Sequence, residues 1–300
     1  MFDHFAWSVV VVPLLVLAAG HLLVDRLRPD LAVRVFAWTT FVVGVSAALN
    51  LASFAVKALA EIPAVAVMGG WSYRIVAADS VHEPWAPWLC LAWCAAAGLA
   101  VAVAVRRHRR AVVVANRLAA ALPGGEQVVV ASSEVVDAFA LPGRPARIVI
   151  TTAMRDLLDA DQLAAVVAHE RGHLDQRHHD LVWLTRLGAA IHPVLFPMVR
   201  RVEYLAERTA DEAAASALGD RQQVAEALGL VAMHTRGGRR VGALHIGSRL
   251  GQTPRRVMAL LDTSVQRRFP ALVPLLVAVS TVVWTCECVY DLQELFRFAT

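Results

Sequence analysis

Nearly continuous apolar runs, with neither a helical nor a strand period, mark four stretches: Phe5 to Val24, Val35 to Val56, Trp85 to Val105 and Ala271 to Tyr290. Each has the ~20 residues a helix needs to cross a bilayer core. The first could pass for a signal peptide, but no basic region precedes it and a second run follows closely, so it reads as an anchor that stays. Between the third and fourth runs the pattern changes. Asp159 and Gln162 have the spacing of a capping box, after which Leu163, Val166 and Val167 recur at helical intervals and point to a core. Gln127 to Val130 and Arg147 to Thr152 predict a small sheet. A fifth apolar stretch, Leu181 to Val199, is nearly long enough to span but contains Arg186, His192, Pro193 and Pro197. These residues predict a buried or membrane-apposed helix pair turning near His192 and Pro193.

Composition strengthens the membrane reading: 57% hydrophobic and 18% charged residues, with a mean hydropathy of +0.53, lie outside the soluble range, so a lipid bilayer is an expected partner. The arginines set an orientation. Arg26, Arg28 and Arg34 flank the first short loop, Arg106, Arg107, Arg109 and Arg110 follow the third run, and Arg267 and Arg268 precede the fourth. The positive-inside rule then places these clusters in the cytosol, with the loop 57–84 and both termini outside. The expected fold is a mainly α membrane protein. It has three spans within 1–105, a mostly helical cytosolic domain with a small β-sheet at 106–268, and a fourth span at 269–300 completing a four-span transmembrane helix bundle. Direct nucleic-acid binding is not expected, because Arg106 to Arg110 beside a span reads as an anchor against anionic lipid. Trp7, Trp71, Trp85, Trp88 and Trp284 fall where an outer aromatic belt would lie. Cys90, Cys94, Cys286 and Cys288 map to the outer halves of two spans, either as small apolar residues or with one pair in a disulfide. Richness in alanine and arginine with Lys57 as the sole lysine suggests a high-GC bacterial genome, and so a bacterial plasma-membrane location. There is no Gly-rich phosphate loop and no internal repeat.

Chemistry enters at His169, Glu170, Arg171, Gly172 and His173, which spell HExxH. Residues four apart on a helix share a face, so both imidazoles can converge on one ion with Glu170 beside them to act on a metal-bound water. Arg171 departs from strict forms of the motif and is expected to point to solvent. Downstream, Glu207 and Asp211 are also four apart, so that one can ligate the ion while the other accepts a hydrogen bond from a ligating imidazole. A set of two imidazoles and one carboxylate suits zinc with one open position, and would also accept cobalt or manganese.

The stretch from Ala138 to His173, together with LAERTADEAA from Leu205 to Ala214, resembles the BlaR/MecR-type membrane zinc metallopeptidases, and more distantly the HtpX-like and CAAX-protease peptidases. The resemblance implies that His169, His173 and Glu207 hold one Zn2+, that Glu170 is the general base, and that Asp211 orients a ligand from behind. It also implies a cytosolic protein substrate, a winged-helix repressor cleaved in signal transduction. Two other readings are an HtpX-like quality-control peptidase and a non-catalytic signalling scaffold with a structural metal site. Beta-lactam sensors of this type carry an external penicillin-binding domain after the fourth span. Here about ten residues follow Tyr290, so acylation by a beta-lactam is not expected, and a signal would enter through the outer loop Met68 to Pro84, the spans or a partner. Arg147 to Thr152 is a candidate edge strand for an extended substrate. The basic loop Arg236 to Arg240 is a candidate for self-cleavage. His178, His179, His234 and His245 are left outside the site, the first two expected to face solvent or headgroups.

Overall fold

In the computed structural model, which describes residues 2–234, 252–262 and 271–300, the apolar runs become helices. The chain opens with α1 (Phe2–Ala6) and α2 (Val12–Leu23), joined through a π-helical turn at Trp7–Val11. Then come α3 (Pro29–Ala60), α4 (Pro63–Gly69), α5 (Tyr73–Ala78) and α6 (Ala86–Ala121). Proline stands in the first turn of α3 and α6, where its missing N–H costs no intrahelical bond. Among the described residues three helices are long and apolar enough to cross a membrane: α3, α6 and a C-terminal helix at Leu272–Ala299. Trp7–Leu23 is a shorter apolar helix. The 36 residues of α6 extend over ~54 Å, so it continues as one helix well past Val105.

The segment after α3 is a packed cap. Buried Lys57 pairs with Asp79, and Ser80 donates to Glu61 (2.9 Å). Trp71 donates to the Ala60 carbonyl (3.1 Å), and the Ser72 N–H reaches the Ala299 carbonyl (2.8 Å). The four cysteines are free; Cys90 and Cys288 are buried with Phe5, Val9, Leu51 and Phe54, as small apolar residues.

Three strands follow: β1 (Val128–Ala131), β2 (Ala138–Leu141) and β3 (Arg147–Thr151). Their order is β1-β3-β2, with β1 parallel and β2 antiparallel to β3. This corrects the expectation that Arg147 to Thr152 offers a free edge: β3 is central, buried along its whole length and paired on both sides. β1 and β2 are the two edge strands, and β2 is the one that borders α8.

Next are α7 (Thr152–Leu157), α8 (Ala160–Asp175), α9 (His178–Ile191), a 3-10 turn at Pro193–Leu195, and α10 (Phe196–Leu218). The capping box at the start of α8 is formed both ways, by Asp159 accepting from the Gln162 N–H (2.8 Å) and Gln162 accepting from the Asp159 N–H (3.3 Å). The Leu181 to Val199 stretch is a helix pair that turns at His192 and Pro193, as its prolines predict. It packs against the middle of α3. A Cβ added to Gly188 would stand 2.5 Å from the Thr40 carbonyl oxygen, and one added to Gly44 would stand 2.8 Å from Gly188 Cα. Val182, Ala189, Leu195, Met198 and Leu205 share a core with Val33, Phe36 and Val43, so α9 and α10 are built on common packing with the apolar helices. α11 (Arg221–His234) and α12 (Thr253–Leu261) close over α8 and α10 through Ala165, Ala214, Val224 and Leu260, and α13 (Leu272–Ala299) returns to α3. Arg236 to Arg240, His245, Arg267 and Arg268 lie outside the described residues.

Candidate metal centre

The site is set by how closely α8 approaches α10. Gly172, inside HExxH, is the contact point: a Cβ there would lie 3.1 Å from Ala213 Cβ and 3.4 Å from Ala210 Cα. The facing surface of α10 is lined with alanines, and Ala206, Ala210 and Ala214 are fully buried. Small residues on both helices therefore let side chains of the two backbones share one centre. His169 Nε2 and His173 Nε2 are 3.1 Å apart, and each is 3.7 Å from an oxygen of Glu207. In a tetrahedral zinc site with Zn–N of about 2.0–2.1 Å, ligand atoms stand roughly 3.3 Å from each other. The three side chains fit that arrangement with small adjustments, and they are the three that share a metal-sized cluster.

The other imidazole nitrogens are already engaged. His169 Nδ1 lies 3.0 Å from Asp211 Oδ1, so Asp211 occupies the position behind the ligand shell that the ExxxD spacing predicts. His173 Nδ1 lies 2.9 Å from His178 Nδ1. The expectation that His178 faces solvent is thus wrong: Arg177 adopts a left-handed backbone conformation (φ 52°) between α8 and α9, turning the chain back so that His178 is buried behind His173. Burial, and then the neighbouring charges of His169, His179 and Arg34, push its pKa down to about 3. A neutral His178 can accept the Nδ1 proton of His173, which fixes the tautomer leaving His173 Nε2 free to ligate. His179, also expected outside, is half-buried and lines the cleft, whereas His234 is exposed as expected.

Arg256 of α12 is the residue that sequence reasoning missed. It is 2% exposed, donates from Nε and Nη2 to the two oxygens of Asp211 (2.8 and 2.6 Å), and reaches Glu207 Oε2 through Nη1 (2.7 Å). Burial works against ionisation of Asp211, yet Arg256 and His169 hold it far below the usual carboxylate range. Burial also opposes the charge on His169, but the hydrogen bond and charge of Asp211 outweigh it and leave the pKa raised. The Arg256 guanidinium contacts two carboxylates, Glu207 and Asp211, and its charge also acts on Glu170. A divalent cation would supply the charge still missing from this buried group.

Glu170 stands on the cleft side of α8, half-buried, and its carboxylate accepts from the Ala140 N–H of β2. Burial, with the charges of Glu207 and Asp137 adding to it, pushes its pKa up to about 7, a value suited to taking and returning a proton near neutrality. The cleft encloses a cavity of about 130 Å³ whose walls include Met154, Val166, Leu228 and Val231 beside His169, Glu170 and Glu207. Arg171 is exposed on the opposite face, as expected. The arrangement can hold a cation, place a carboxylate base next to it, and present an open strand edge along the same cleft.

No curated protein and no solved structure matches the chain. Glu207, Asp211 and Arg256 are joined to the HExxH helix by the geometry described above. The HExxH helix itself, with the sheet and the second half of α6, falls within residues 103–188, which match the model of peptidase family M48 and support a membrane-type zinc metallopeptidase.

Proposed function

We propose that this protein is an integral membrane zinc-dependent endopeptidase that cleaves a cytosolic regulatory protein, a winged-helix repressor of the kind the BlaR/MecR resemblance implies. The observation that carries the endopeptidase reading is the position of Glu170, between the His169, His173 and Glu207 cluster and the open edge of β2. Ala138 and Ala140 of that edge line the cleft, so an extended peptide could add there as a further strand and bring its scissile carbonyl to the cluster. A zinc ion held by the three ligands would acidify a water and polarise the carbonyl. Glu170 would accept the proton of that water and return it to the departing amine, Asp211 and His178 would keep the imidazoles oriented, and Arg256 would keep Glu207 in place. In this reading Trp7–Leu23 joins α3, α6 and α13 as a fourth span, the peptidase segment is cytosolic and both termini are external.

One observation favours a second reading, quality control of membrane proteins. The cleft walls are largely apolar and would accept the side chains of unfolded membrane segments. The two are separated by mapping new protein N-termini in cells carrying the wild type against Glu170→Gln, which keeps the ligands and removes the base. Loss of one cleaved repressor in the variant supports the regulatory reading, loss of many cleaved membrane proteins supports quality control, and identical maps refute both.

A further inference from the structure

A second and larger cavity, of about 1410 Å³, lies between α6, α9 and the start of α10. Its lining changes along α6, from Ala100, Val103 and Ala104 to Arg107 and Arg110, with His108 stacked on Trp183 between the helices (centroids 4.0 Å apart); Pro193, Phe196, Pro197 and, one turn further, Arg200 line it from the other side. α6 packs on α3 and α9, yet only 6% of its apolar window is buried, so most of that stretch is left to face lipid or the groove. From Ala100 to Arg110 the helix advances ~15 Å, so the change from apolar to basic lies along its axis, as the change from bilayer core to headgroup does.

The charges are not balanced from within. Arg186 is paired with Glu203 at 2.7 Å. Among the described residues no carboxylate pairs with Arg107, Arg110 or Arg200, all three exposed at the rim. We propose that this groove binds one anionic phospholipid, its phosphate held by Arg107 and Arg110 and an acyl chain lying along Val103, Pro193 and Phe196. The apolar end distinguishes this site from one for free phosphate, and the basic end distinguishes it from a contact with neutral lipid. Helical spacing makes it discrete. Arg107 and Arg110 line the groove with Val103, Ala104 and Ala111, whereas Arg106 and Arg109, from the same basic cluster, do not.

The test is native mass spectrometry of the full chain released from nanodiscs of equal parts phosphatidylcholine and phosphatidylglycerol, with the thermal unfolding midpoint as the check on folding. One phosphatidylglycerol should be retained per chain. At about a factor of five per arginine, Arg107→Gln with Arg110→Gln should weaken that retention roughly twenty-five-fold, while Arg106→Gln with Arg109→Gln should leave it intact. Equal losses in the two double variants would reduce the effect to diffuse surface charge and overturn the proposal. So would equal retention of phosphatidylcholine, or displacement of the lipid by soluble glycerophosphoglycerol, which would remove the acyl-chain half of the site. The peptidase reading plays no part in these outcomes.

Discussion

Replacing Arg256 with methionine removes the guanidinium that, among the described residues, Glu207 and Asp211 share. The side chain makes three charge-assisted contacts, two with Asp211 and one with Glu207, at 2.6 to 2.8 Å, and both acids are under 5% exposed. Breaking a buried ion pair from one side costs about 3–5 kcal/mol, because the remaining charge keeps its desolvation penalty and loses its partner. The metal-free variant should therefore unfold at a lower temperature, by roughly 6–20 °C if each kcal/mol is worth ~2–4 °C in a chain of this size. The sign of the zinc effect then follows from charge: with the guanidinium gone, the same acids offer a divalent cation more to neutralise, so added zinc should raise the melting midpoint further in the variant than in the wild type. Peptidase activity should still fall, because Glu207 loses the contact that aims it. The assay is thermal unfolding of the detergent-solubilised chain, with a chelator and then with zinc. An unchanged metal-free midpoint, or an equal or smaller response to zinc, would refute the idea that Arg256 stabilises the site by charge balance.

Substituting His178 by phenylalanine keeps the volume but takes away the acceptor of the His173 Nδ1 proton; zinc affinity measured by chelator competition should drop ~10–100-fold. Affinity should also weaken as pH falls through 7, since His169, a ligand with a raised pKa, must lose its proton to bind metal, and Glu170, with a pKa of about 7, loses the negative charge that favours a cation beside it. An affinity unchanged between pH 8 and pH 6 would rule out that proton release. Gly188→Val would push a side chain into the Thr40 carbonyl, 2.5 Å from its Cβ, and should destabilise the bundle by ~1–3 kcal/mol, read as a lower aggregation temperature in detergent.

What could be read in the sequence was what local spacing enforces. His169 with His173, and Glu207 with Asp211, are helical neighbours by arithmetic, and Asp159 with Gln162 closes a cap on its own. The turn at Pro193 was legible because proline cannot sit quietly inside a helix. Missing were the features that exist only after chain segments meet. β2 is four residues, AFAL, with no alternation of polar and apolar positions, and its strand character comes from pairing with β3. Arg256 is one of 29 lysine and arginine residues, 45 positions along the chain from Asp211, and nothing local marks it. His178 depended on a single left-handed residue, Arg177, which is neither glycine nor asparagine and so carries no turn signal.

The Lys57–Asp79 pair has a practical use. A chain with one lysine offers amine-reactive reagents a single side-chain target, and here that target is 2% exposed beneath the 61–85 segment. Acylation of Lys57 then requires the cap to lift, so its labelling rate is a clock for that opening, readable from one peptide without inserting a probe. A ligand or partner that moves the cap would announce itself as a change in that one rate.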